Sequence, residues 1–317
     1  MANTLISGHS NGNTYVMIYE DGTKVRLTMD DEFYPEFPES MDYKITNRCT
    51  GTNCAFCHER SGPDGAHGDI MNDRFIETLK PGTELALGGG NVLEHPDFVP
   101  FLHKLKTLGI IANATFNQKH FLENIDMIKG LADAGLLHGI GISLGSSQAH
   151  PQSLLAGLRR VPFPNAVIHV INGVHSLSAL SQLYDQGLKL LILGYKTFGR
   201  GEGYYAGHSA AIDSAKSTLR DELPELIKHF DAVSFDNLAI VQLNVREVLG
   251  EEEWNGFYMG AEGEFTMYVD SVNKQYAISS TSVDRYPLED DAKSMFSAIR
   301  KKAGFMTYEE YRKKGRE

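Results

Sequence analysis

Between residues 43 and 235, short apolar runs alternate with amphipathic stretches of helical length, and that alternation leaves few folds open to the chain. The runs are "DYKITN", "ELALGG", "IIANATF", "HGIGISL", "NAVIHVI" and "KLLILGY". Between them lie "DRFIETL", "DFVPFLHKLKTLG", "LENIDMIKGLADAG", "PQSLLAGLRR" and "SLSALSQLYDQG". Six strands joined by five helices build a parallel sheet with its helices outside. Right-handed crossovers roll such a series into a barrel or a doubly wound sheet. Either fold puts its chemistry at the C-terminal ends of the strands. Three unusual polar clusters fall there: a cysteine window after "DYKITN", "GGGN" after "ELAL", and "GYKTFGRG" after "KLLIL".

The flanks read differently. "NTYVMIYEDGTKVRLT" has the alternation and turn of a hairpin, and the Pro-punctuated "DDEFYPEFPES" follows as a linker. After the helical "LRDELPELIKHF", "AVSFDN" is a candidate seventh strand. "FTMYVDSVNKQYAIS" is a second hairpin, and "LEDDAKSMFSAIRKKAG" a closing helix. The expected divisions are an N-terminal hairpin and linker (1–40), a core (41–237) and a C-terminal α+β extension (238–317).

Composition narrows the setting. The chain has 317 residues, 42% hydrophobic and 22% charged, as in ordinary globular proteins. Its formal net charge of −11 disfavours an extended nucleic-acid footprint, which needs excess Lys and Arg. The basic tail "YRKKGRE" reads as a solvated helix face. The start has neither the basic flank nor the apolar run of a signal peptide, and no apolar stretch is long enough to span a bilayer. The expected location is the cytoplasm, with no membrane partner.

All three cysteines, Cys49, Cys54 and Cys57, lie in "RCTGTNCAFCHER". An odd, clustered set argues against a disulfide framework and for metal ligation in a reducing compartment. Zinc would need a fourth ligand, with His58 or His67 at hand. A plant-type [2Fe–2S] cluster uses this C-x4-C-x2-C spacing but requires a fourth cysteine, which the chain lacks. A [4Fe–4S] cluster on three thiolates would keep one iron open.

The order of strand, cysteine loop, helix, strand and "GGGN" resembles the radical S-adenosylmethionine (radical SAM) superfamily. That family's usual signature is C-x3-C-x-aromatic-C. Phe56 fills the aromatic place here, and the first gap is one residue longer. The family's "GGEPL" stretch is matched by "GGGNVL", with Gly89 and Gly90 at the glycines, Asn91 at the Glu and Leu93 at the Leu. The phrases "DYKITNRC", "CAFCHE", "LGGGN" and "LGYKTFGRG" look like the compact radical SAM proteins of bacteriophages.

The resemblance implies a partial (β/α)6 TIM-like barrel carrying a [4Fe–4S] cluster on the three cysteines. It also implies SAM on the open iron, reduced by an external one-electron donor such as flavodoxin or ferredoxin. Cleavage of SAM would release a 5′-deoxyadenosyl radical that takes a hydrogen from substrate. On the same basis Phe56, Gly89, Gly90, Asn91, Asn117, Ser143, Asn172 and Gly173 are expected around SAM.

On the substrate side the expected residues are Lys196, Arg200, Asp236 and His58. Lys and Arg among glycines suit a carboxylate or phosphate, so the substrate is expected to be anionic: a nucleotide, an amino acid or a peptide. One reading is rearrangement or isomerisation of a modified nucleotide, such as hypermodified thymidine in phage DNA. The others are a peptide or small metabolite as substrate, and a non-catalytic zinc module. No further cysteine exists for an auxiliary cluster or a thiol hydrogen donor, so a hydrogen donor supplied by the protein is expected to be a tyrosine.

Overall fold

The structure is a computed structural model that describes residues 3–52, 54–145 and 151–314. The last three residues of the basic tail lie outside them.

Strands β1 (Leu5–Asn11), β2 (Thr14–Tyr19) and β3 (Lys24–Leu27) form an antiparallel sheet, so the expected hairpin gains a third strand. The six expected core strands are β4 (Ser40–Thr46), β5 (Glu84–Gly89), β6 (Ile111–Asn117), β7 (Gly139–Ser143), β8 (Ala166–Ile171) and β9 (Lys189–Leu193). All pair in parallel and in sequence order. The seventh, β10 (Ala232–Phe235), continues the sheet beside β9. Beyond β4 the sheet runs on through β11 (Thr266–Asp270), β12 (Gln275–Ala277) and β13 (Tyr286–Pro287). β10 and β13 are therefore edges, and the barrel stays open.

The helices are α1 (Phe98–Thr107), α2 (Gln118–Glu123), α3 (Ile125–Asp133), α4 (Pro151–Arg160), α5 (Leu177–Leu180), α6 (Arg200–Leu226), α7 (Asn237–Leu243), α8 (Val245–Leu249), α9 (Glu251–Phe257), α10 (Ala292–Lys302) and α11 (Tyr308–Lys314). "DRFIETL" tightens to a single 3-10 stretch. In α1 the buried residues Phe98, Phe101, Leu102 and Leu105 follow the i, i+3, i+4, i+7 rule for one packed face.

The strands alternate as parallel strands between helices and a lumen must. In β8, Ala166, Ile168 and Val170 are buried under the helices, while Val167, His169 and Ile171 are only partly covered. Outward positions are thus apolar, and inward ones carry the polar residues.

The C-terminal extension is built into this sheet. β11 pairs in parallel with β4, bringing Tyr268 level with Asp42 and Asp270 level with Lys44. Buried Asp73 locks the join, accepting from Tyr43 Oη (2.5 Å), Ser271 Oγ (2.5 Å) and Lys274 Nζ (2.6 Å).

The N-terminal sheet docks on the opposite, N-terminal ends of the barrel strands. Lys24 pairs with Glu84 (2.5 Å), Lys189 Nζ donates to Asp21 O (2.6 Å), and Arg26 pairs with buried Glu39 (2.7 Å). Among the described residues no helix is long and apolar enough to cross a membrane.

Candidate functional site

The cysteine loop leaves the end of β4 and folds back on itself. Asn47 N bonds Ala66 O (2.8 Å), Cys49 N bonds Gly62 O (2.9 Å), and Cys57 N closes a turn on Cys54 O (3.1 Å). The glycine edge after β5 then lies against the loop's start, with Gly90 N on Thr46 O (2.7 Å) and Asn91 N on Arg48 O (2.8 Å). This contact is why those glycines are glycines. A Cβ on Gly89, whose φ is +108°, would sit 2.2 Å from Thr46 O, and one on Gly90 would sit 2.1 Å from Arg48 O. The expected reason, room for a ligand, fits Gly88 instead, where a Cβ would meet open space.

All three thiols face one cavity of about 200 Å³ at the C-terminal ends of the strands. Phe56, His58, Gly88, Gly89, Gly90, Asn117, Ser143, Lys196 and Arg200 share its wall. Burial pushes the Cys49 and Cys54 thiols up, and the positive charge of Arg200 draws each part of the way back. Asn117 Nδ2 is 4.0 Å from Cys54 Sγ. Of the two asparagines on β6, Asn117 is the one at the cavity. Asn113 sits lower, accepting from Gly139 N (2.7 Å).

Four expected residues are placed elsewhere. Asn91 turns its side chain to Leu93 N (3.3 Å) and Glu94 Oε1 (3.0 Å), capping the short turn after β5. Asn172 is fully buried, donating to Gln242 Oε1 (3.3 Å), and Gly173 packs on Ile212 of α6. Neither lines the cavity, although Ile171 and His175 beside them do. Asp236 caps α7, accepting from Ala239 N (2.7 Å) and Gly194 N (2.8 Å), so its carboxylate serves the backbone.

Arg200 lines the cavity but is not a free clamp. Its Nε donates to Cys54 O (3.0 Å) and its Nη1 to Ser61 O (3.0 Å). The expected glycine loop is also shorter than its sequence implies, because α6 begins at Arg200. Lys196 Nζ reaches Ser280 Oγ (2.9 Å), linking the end of β9 to the segment after β12.

Beside the thiols lies a charged cluster that single motifs could not reveal. Glu59 accepts from Lys44 (2.7 Å), His58 (3.4 Å) and Tyr268 Oη (3.3 Å), and Lys44 also holds Asp270 (3.0 Å). Burial works against the Glu59 charge, yet His58 and Lys44 outweigh it and hold the carboxyl well below its usual range. Burial, helped by Lys196, lowers His58.

Three further histidines line the cavity and were missed in the sequence. His175 accepts at Nδ1 from Ile171 N (2.9 Å) and donates from Nε2 to Gly145 O (2.8 Å), which sets its tautomer. His120 Nε2 meets Thr50 O (2.7 Å). His169 has no hydrogen-bond partner among the described residues, and burial lowers it to about 4. Its inward place in the period of "AVIHVI" was the available signal.

The donor set can be tested against a metal group. A single zinc ion needs its ligands about 2.0–2.3 Å from one point. Among the described residues no three His, Cys, Asp or Glu side chains are gathered in that way. His67, once a zinc candidate, bonds Thr46 Oγ1 (2.9 Å). The three thiols share the wall of one cavity. By contrast a larger cavity, about 700 Å³, lies at the far end near Thr4, Glu20, Lys129 and Asn165, and none of the expected site residues lines it.

No protein-family model and no curated protein matches the sequence. Among solved structures the chain is similar to Streptococcus suis SuiB bound to precursor peptide SuiA. That match has 12% identity and a TM-score of 0.58, and covers 93% of this chain and 88% of that one. For SuiB bound to S-adenosylmethionine the values are 10%, 0.56, 92% and 88%. With its parallel strands, its open barrel and the cysteine loop after the first core strand, the chain shares the fold of these SuiB structures.

Proposed function

We propose that the protein is a radical SAM enzyme. The observation that carries this reading is the meeting of three thiols, with no fourth in the chain, and a glycine edge on one cavity at the C-terminal ends of the strands. Cys49, Cys54 and Cys57 would hold a [4Fe–4S] cluster, and Gly88, Asn117 and Ser143 would border SAM. When bound and reduced by an external one-electron donor, the pair would supply a 5′-deoxyadenosyl radical able to take a hydrogen from substrate.

The chain's own part is to orient and to exclude water. The charged groups beside the thiols are already paired through Glu59, Lys44 and Asp270, so they need no solvent. Substrate would enter at the open seam, where Lys196 and Arg285 bring positive charge to Ser280. Arg285 Nη1 is buried there without a partner. This supports an anionic substrate, with Arg285 taking the place first given to Arg200.

Two substrate classes meet that description. The phage-like motifs support a modified nucleotide whose side chain is isomerised or rearranged. The likeness to SuiB bound to a precursor peptide supports a peptide.

Anaerobic reconstitution with iron and sulfide tests the cofactor reading. One [4Fe–4S] cluster per chain and slow reductive release of 5′-deoxyadenosine from SAM are expected. Stoichiometric zinc with no iron would overturn it. Incubation with a phage-type hypermodified deoxynucleotide and, separately, with peptide mixtures should then raise 5′-deoxyadenosine release for one class only.

A further inference from the structure

The cysteine loop is held from both sides by side chains that bond its backbone. From one side, Glu94 Oε1 accepts from Thr50 N (2.8 Å) and Thr50 Oγ1 (2.9 Å), and Lys119 Nζ donates to Gly51 O (2.8 Å). From the other, Arg200 alone makes three contacts: Nε to Cys54 O, Nη1 to Ser61 O, and its backbone N to Cys57 O, each 3.0 Å. The chain permits this approach only because Gly199 precedes Arg200. A Cβ on Gly199 would lie 2.2 Å from His58 O.

Arg200 differs from the other braces in one respect. A planar fork can bridge two carbonyls that a single ammonium cannot. Its charge also lies on the same cavity wall as the three thiols. A fixed positive charge beside a redox group stabilises the form carrying the extra electron.

Resting on the cluster reading above, we propose that Arg200 is a positioning residue for the iron–sulfur cluster. Its fork sets the path of the backbone from Cys54 to Ser61, and its charge raises the potential at which the cluster accepts an electron. Substrate binding is left to the seam.

The test compares wild type, Arg200→Gln and Arg200→Lys, each reconstituted anaerobically and studied without SAM. Iron content, the electron paramagnetic resonance signal of the reduced cluster and its midpoint potential are measured, with thermal melting of each apoprotein. In the Gln variant iron occupancy should fall severalfold and the potential of the remaining cluster should shift more negative. In the Lys variant the potential should return toward wild type while occupancy stays low, separating charge from geometry.

Full occupancy and one common potential in all three proteins would overturn the proposal. So would apoprotein melting temperatures that fall together with iron content, since Arg200 would then serve the fold in general. Occupancy too low to titrate in the Gln variant, with unchanged apoprotein melting, supports the positioning role. Wild type without iron would instead sink the cluster reading, an outcome distinct from any difference between variants.

Discussion

The two ends of the barrel are built from the same strands and serve opposite purposes. At the C-terminal end, glycines, histidines and partly paired charges surround a cavity of about 200 Å³. At the N-terminal end, β1–β3 dock through ion pairs and backbone bonds, leaving a larger hollow of about 700 Å³. Size does not mark the site. What does is the convergence of groups that a stable fold would not choose: thiols, an unpartnered histidine, and glycines pressed against carbonyls.

The largest effect should come from the thiols. Cys49→Ala, Cys54→Ala or Cys57→Ala should each abolish iron loading while apoprotein melting changes little, since each thiol is only partly buried. Iron analysis beside calorimetry checks this. Full iron in any one variant would place the cluster elsewhere.

The reverse is expected at the other end. Arg26→Met leaves Glu39, 2% exposed, as an unpaired buried charge. Breaking such a pair should cost about 3–5 kcal/mol of stability. Iron content and SAM cleavage at low temperature should stay at wild-type values. Loss of cluster in that variant would couple the two ends and break the comparison.

A pH titration sharpens it further. His169 is held neutral to about 4, whereas in the unfolded chain it protonates near its ordinary value of 6.5. The unfolded state therefore binds the extra proton between these values, so this contribution is complete above pH 6.5 and lost as pH falls toward 4. The loss should approach about 3 kcal/mol, taking about 1.4 kcal/mol per pKa unit. Urea unfolding of wild type and His169→Gln at pH 7 and pH 4.5 should show a shallower pH dependence in the variant. Parallel profiles would mean that His169 is hydrated in the lumen.

The smallest effect belongs to Asn91→Ala. Its amide braces Glu94 and caps a turn, so its loss should cost about 1 kcal/mol of stability. SAM affinity, measured by equilibrium dialysis on reconstituted protein, should not move. A tenfold weaker SAM would return Asn91 to the ligand.

These residues divide by how far their partners lie along the chain. The seven parallel strands were legible because alternation and helical periodicity act over a few residues, and each run became a strand within a residue or two of its expected bounds. The cysteines were legible because their spacing is local. Asn91, Asn172 and Asp236 were placed on the correct rim, yet their side chains turned to backbone or to neighbouring elements. A strand-end position specifies a rim, and the rotamer follows from whichever donor or acceptor is nearest.

By itself, then, the sequence determined the parallel core and, at the C-terminal ends of its strands, a three-thiol loop followed by a glycine edge. Each of these depends on periodicity or spacing within one element and its turn. Tertiary structure alone decided that β11 would join β4, that Glu59 would meet Lys44 and Tyr268, and that Arg200 would hold the cysteine loop. Those contacts join residues up to more than 200 positions apart. A buried charge takes whatever partner the packed strands bring within reach, and no local pattern encodes that choice.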